Sequence, residues 1–163
     1  MKESIAQAFI INLILVFFVI LILLLFGSIN YSKAYKAKNR IINIIEKHGG
    51  WTDETKDEVA SNLAEGGYST IVVTGEDDKC NDYIKSDNDK LVFPTDEDRE
   101  EGRRYNYCVI ASNYDSPKGT YYQVITHMKF EIPLIGGFLE FPVKGETKPL
   151  FDTTMTKEVV ETE

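Results

Sequence analysis

Along the chain, the spacing of apolar positions changes three times, and each change predicts a different element. From Ala8 to Phe26 the apolar positions have no spacing at all: 19 residues run with Asn12 as the one polar member. At about 1.5 Å per residue that run spans about 28 Å, close to the roughly 30 Å hydrocarbon thickness of a bilayer. From Tyr31 to Lys47 the apolar positions thin to a helical stripe. Tyr31, Ala34, Tyr35, Lys38, Ile41, Ile42 and Ile45 recur at i, i+3, i+4, while Lys33, Lys36, Arg40, Asn43 and Lys47 fall mostly elsewhere. There is no Pro before Pro94, so the two stretches predict one helix from about Ser4 to Lys47, stopped by Gly49-Gly50. Lys47 and His48 suit the negative end of its dipole. A short helix follows, capped by Thr52 or Asp53 and striped by Val59, Ala60, Leu63 and Ala64, ending at Gly66-Gly67.

The period then shifts to that of strands. Ser69 to Thr74 is β-branched. Tyr105 to Ser112 reads as a strong strand, and Asn113 to Gly119 as a turn. Thr120 to Ile132 alternates, with Tyr122, Val124, Thr126, Met128, Phe130 and Ile132 on one face. Gly136-Gly137 turns the chain into Phe138 to Lys144, and Thr147 to Phe151 is a candidate edge strand. Gly75 to Gly102 reads as a long acidic loop with a short strand at Lys90 to Phe93. The expected fold class is α+β: a transmembrane-plus-amphipathic helix packed on a small antiparallel sheet of four or five strands. Its parts are an N-terminal tail (1–7), the span (8–29), the amphipathic continuation (30–48), a head (49–152) and a polar tail (153–163).

Charge sharpens this division. The net charge is −8, but Tyr31 to His48 carry five Lys/Arg against one acid, and Gly49 to Glu163 carry 12 against 24. An acidic body repels phosphate backbones, so nucleic acid is excluded as a partner; membrane lipid and other apolar helices remain. A cleaved signal peptide is the rival reading of the apolar run, but the run is too long and its nearest small-x-small triplet, Ser32-Lys33-Ala34, lies beyond the apolar core. Topology signals conflict. Lys33, Lys36, Lys38 and Arg40 after the span favour a cytoplasmic body by the positive-inside rule. The even cysteine count, Cys80 and Cys108, is compatible with one disulfide and an exported body, or with two free thiols. The chosen orientation is N-terminus cytoplasmic and head extracellular.

The sequence offers little catalytic chemistry. His48 and His127 have no Cys, His or Asp at metal-ligand spacing and read as structural. Nucleophile-elbow, phosphate-loop and zinc-protease motifs do not occur. Asp77, Asp78, Asp82, Asp87 and Asp89 are the oxygen-rich set a calcium ion wants, but lack the glycine of an EF-hand turn and read as a solvated charge run. Arg99, Arg103 and Arg104 read as neutralising neighbouring acids, and Trp51 and the tyrosines as core aromatics before a binding surface. No enzyme activity, metal or cofactor is expected. Glu3, Gln7 and Asn12 precede or interrupt the span and are the candidate polar residues for helix–helix assembly.

The segment KESIAQAFIINLILVFFVILILLLFGSINYSKAYKAKNRIINIIE (Lys2 to Glu46) resembles the helical stalk of type IV pilin-like proteins, and more closely the TadE-like pseudopilins. FEIPLIGGFLEFPVKGETKPLF (Phe130 to Phe151) looks like the closing strands of that group. The resemblance implies a non-enzymatic, single-pass component of a pilus-like or secretion-like assembly, forming homo- or hetero-oligomers through its apolar helix. Two features depart from the pattern: no Gly precedes Ile5, and Gln7 stands where the family tends to carry Glu, leaving Glu3 as the acid of that region. The alternative is a membrane-tethered extracellular domain that binds a ligand or partner and is unrelated to pili.

Overall fold

A computed structural model describes residues 2–68, 79–100, 105–113, 119–132 and 137–151. Helix α1 (Lys2–His48) is unbroken for 47 residues, about 70 Å. Gly27 and Ser28 lie inside it, so the expected boundary between span and continuation is a change of surroundings with no change of backbone. Gly49 ends it with φ of +75°, a conformation glycine adopts without strain, and the Gly50 N–H closes onto the Ile45 carbonyl at 3.1 Å. Helix α2 (Asp53–Glu65) starts at Thr52, whose hydroxyl accepts from the Thr55 N–H at 3.2 Å. Its buried stripe is narrower than expected: Thr55, Val59 and Leu63 face inward, while Ala60 and Ala64 are exposed. Thr55 is accommodated because its hydroxyl donates to the Gly50 carbonyl at 2.9 Å.

Four strands form one antiparallel meander in the order β1 (Asp89–Phe93), β2 (Tyr107–Ser112), β3 (Tyr121–Ile132) and β4 (Gly137–Glu146). β2 pairs with β3 from Tyr107↔Thr126 to Ser112↔Tyr121. The β3–β4 ladder is the longest, from Gln123↔Glu146 to Ile132↔Gly137. The candidate edge strand at Thr147 to Phe151 reduces to a single bridge, Thr120↔Leu150, with N–H···O bonds of 2.9 and 2.7 Å. The acidic stretch is more ordered than a loop: a 3-10 turn at Lys79–Tyr83, β1, and the short helix α3 (Asp96–Glu100) interrupt it. Thr95 starts α3, its hydroxyl and N–H meeting Asp98 and the Asp98 N–H returning to it. The strand expected at Ser69 to Thr74, the turn residues 114–118, Gly136, Arg103, Arg104, Asp77, Asp78 and the tail 153–163 lie outside the described residues.

The main core sits between α1 and one sheet face. Ala34, Ala37, Ile41, Ile44 and Ile45 of α1 and Val59 and Leu63 of α2 are buried with Tyr107, Val109, Ala111, Tyr122 and Val124. Small residues let the helix lie close. The Thr126 hydroxyl donates to the Ala34 carbonyl at 3.0 Å, and a Cβ on Gly145 would meet Lys38 Cδ at 2.7 Å and Ile42 Cδ1 at 2.8 Å. Phe93 centres an aromatic cluster with Trp51, Tyr105 and Tyr107 at 5.4, 4.7 and 4.7 Å. Burial pushes the Tyr107 phenol pKa up. These aromatics are core.

Candidate membrane and assembly surface

The described N-terminal half of α1 has its apolar side chains in the open. Apart from half-buried Leu23, the large residues from Phe9 to Ile29 are 36% to 68% exposed, around the helix. A helix hydrophobic all round needs an apolar surrounding, and this one is long and apolar enough to cross a membrane. Just beyond it, Tyr31 and Tyr35 stack at 6.2 Å and are exposed, as are Lys33 and Lys36. Aromatic rings followed by cations are what a membrane–water boundary favours. Lys38 is buried along its stem, with its ammonium 4.3 Å from the centre of the Tyr35 ring.

The three candidate assembly residues do not form one polar patch. All are on α1, and Gln7 and Asn12 are exposed. At about 100° per residue, positions 3 and 7 lie about 40° apart, whereas position 12 lies about 140° from 7 and about 180° from 3. Asn12 therefore addresses a different neighbour from Gln7. Helical spacing alone carried that information; order along the chain obscured it.

Cys80 and Cys108 are joined, with Cα atoms 5.7 Å apart across a separation of 28 residues. Cys108, Ile110 and Ile125 form a small buried cluster on the sheet face opposite α1, with Tyr83 and Leu91 packed against it. The disulfide thus clamps the 3-10 turn over the far face of the sheet. Lys144 caps that turn with its ammonium 4.4 Å from the Tyr83 ring centre, and His127 meets the same ring edge-on at 5.9 Å. His127 is buried in β3.

At the other end, His48 Nε2 lies 2.6 Å from Glu58 Oε2, and the Lys47 ammonium donates to the same carboxylate at 2.8 and 2.9 Å. Lys47, then His48, holds the Glu58 carboxyl below its ordinary range. These contacts tie α2 to the end of α1. Asp89 accepts from the Lys85 and Ser86 N–H groups at 3.2 and 3.1 Å, and Asp82 and Asp87 are exposed. Among the described residues, no three His, Cys, Asp or Glu side chains are grouped to hold a metal ion. Arg99 pairs with Asp96 at 3.3 Å.

Compared with known proteins, the chain matches no family model, no curated protein and no solved structure.

Proposed function

We propose that this chain is a single-pass membrane protein that serves as a structural, non-enzymatic subunit of a pilus-like or secretion-like assembly. α1 is the stalk: residues 8–29 span the bilayer, the residues before them face the cytoplasm, and the head is exported. One observation carries the reading: a single unbroken helix leaves apolar residues open all round in its first half and buries one face on the sheet in its second. A flexible tether would suffice for a receptor domain. A rigid stalk continuous with the head suits packing of many copies side by side, with polar Gln7 and Asn12 setting register between neighbours. The clamped disulfide supports export, since such bonds persist in oxidising compartments.

The test has two arms. An Asp87→Cys variant places a thiol on an exposed turn. In intact cells a membrane-impermeant maleimide should label it, and acid-quenched cells should contain Cys80 and Cys108 oxidised. Labelling only after lysis would put the head in the cytoplasm and overturn the assignment. The second arm replaces Ile10 to Phe26 by an unrelated apolar span. Cross-linked oligomers in native membranes should then disappear. A chain that is monomeric with either span is a tethered binding domain instead.

A further inference from the structure

Four cations of α1 fall within about 60° of one another around the helix: Lys33, Lys36, Arg40 and Lys47. The upper two are taken by α2 of the same chain. Lys47 pairs with Glu58 at 2.8 Å, and the Arg40 guanidinium donates to the Asn62 carbonyl at 3.1 Å. The lower two are exposed, and among the described residues neither makes an ion pair or a hydrogen bond.

The opposite charge is left over at the far end of α2. Glu65 is exposed and occupies the last turn, where the helix dipole is already negative and no basic residue stands. A cation from outside would satisfy both the carboxylate and the dipole. Lys36 of the same chain does not supply it. Lys36 lies about 140° around α1 from buried Ile41, and Glu65 about 120° around α2 from buried Val59, so both charges turn away from the α1–α2 packing.

The two charges share a height. Side chains of a helix lean toward its N-terminus, so the Arg40–Asn62 bond sets the end of α2 below the level of residue 40, toward Lys36 one turn down. A bilayer holds the stalks of neighbouring copies level, which brings Glu65 of one copy to the height of Lys36 in the next. Lys36 is about 10.5 Å along α1 from Ile29, beyond the roughly 5–7 Å of the headgroup layer. A counter-charge at that height is protein rather than lipid. Ser61, one turn before Glu65, and Ala64 are exposed and small, so a neighbouring helix can approach closely.

We propose that a second copy of this chain docks here: the C-terminal end of α2, through Glu65, sits against Lys36 and Lys33 on α1 of the next copy. The contact joins two different surfaces, so it is head-to-tail and leaves each copy able to take one neighbour on either side. The inference rests on reading the chain as an assembly subunit, and it names the contact between heads that accompanies the one within the span.

The test uses the full chain in native membranes, as two differently tagged forms, Asn43→Cys and Ser61→Cys. Both positions are exposed beside the contact and keep its charges, and the chain has no free thiol of its own. A short bismaleimide should give a mixed dimer in preference to either same-tag dimer. Lys36→Glu in both forms should lower its yield about fivefold, and adding Glu65→Lys should restore it. Same-tag dimers in excess would mean a two-fold contact and overturn the head-to-tail one. A loss in Lys36→Glu that Glu65→Lys does not restore would assign Lys36 to anionic lipid headgroups, and overturns the contact as well. If no mixed dimer forms while the chain still gives oligomers that depend on Ile10 to Phe26, the contact between heads fails and the assembly reading stands. If the unsubstituted chain is monomeric, the assembly reading fails and the contact falls with it. Should a reversed charge prevent the Cys80–Cys108 bond, Lys36→Gln and Glu65→Gln take its place. Their double variant should then lose no more than either single, and losses that multiply would overturn the pairing.

Discussion

Removing the Cys80–Cys108 bond should destabilise the head mainly through its unfolded chain, and the size follows from the separation. Closing a loop of 28 residues restricts the unfolded ensemble by about 3.6 kcal/mol at 25 °C in the chain-entropy treatment. The two sulfurs sit in a small cluster with Ile110 and Ile125, so the packing lost on Cys→Ala is small beside that figure. Trp51, packed 5.4 Å from Phe93, reports unfolding of the head by fluorescence in detergent. With a urea slope of about 1.5 kcal/mol/M, the midpoint should fall by about 2.4 M. A tie acts only when both ends are present. Cys80→Ala, Cys108→Ala and the double variant should therefore lose the same stability, within about 0.5 kcal/mol. Costs that add across the two singles, or a midpoint drop of less than about 0.5 M, would refute the loop-closure reasoning and assign the sulfurs a packing role.

Gly145→Ala should lower head stability by about 1–3 kcal/mol, because the new methyl meets Lys38 Cδ and Ile42 Cδ1 at 2.7 and 2.8 Å. Adding Lys38→Ala and Ile42→Val should restore part of the urea midpoint, and no restoration would contradict the close approach of β4 to α1. The Lys56–Asp98 pair, 2.6 Å apart, links α2 to α3 and should make stability fall at both pH extremes. Burial works to raise the Asp98 carboxyl, but the Lys56 ammonium and the Thr95 N–H and hydroxyl outweigh it and hold it below its ordinary 3.8. That contribution is complete above 3.8 and is lost as pH falls through the lower folded value. Asp98 raises Lys56 above 10.5, so its contribution is complete below 10.5 and is lost as pH rises through the folded value. Asp98→Asn should cost about 1 kcal/mol at neutral pH, a small figure because Lys56 is 40% exposed, and should flatten the acid limb of urea midpoint against pH.

The stalk, the helix that follows it and the three later strands were legible because each rests on a long run of one period. Ile41, Ile45 and Ala34 could be assigned to a buried face from spacing alone. The sheet was harder. Alternation in Thr120 to Ile132 marks one face as core, yet Ile125 and His127, on the other face, are buried too. A cover drawn from distant sequence, the turn at Lys79–Tyr83, shields them, and local alternation carries no trace of it. A hint lay in Cys108-Val109-Ile110-Ala111, an unbroken apolar run in a strand buried on both sides. Helix α3 was missed because its acids drew a reading by charge, although Thr95 and Asp98 hold the spacing of a helix start. The aromatic cluster around Phe93 joins Trp51 to residues more than fifty positions away, a proximity that only the folded chain creates.

The unbroken course of α1 through Gly27 and Ser28 makes the chain a mechanical lever. About 28 Å of rigid rod separates Ile29 from His48. With no hinge between them, a 10° change in the tilt of the lower half sweeps the upper end sideways by about 5 Å. Under the proposed membrane-spanning reading, bilayer thickness or the crowding of neighbouring helices would thus be converted directly into displacement of the sheet. The clamp between α1 and α2 at Glu58 carries that displacement into the second helix.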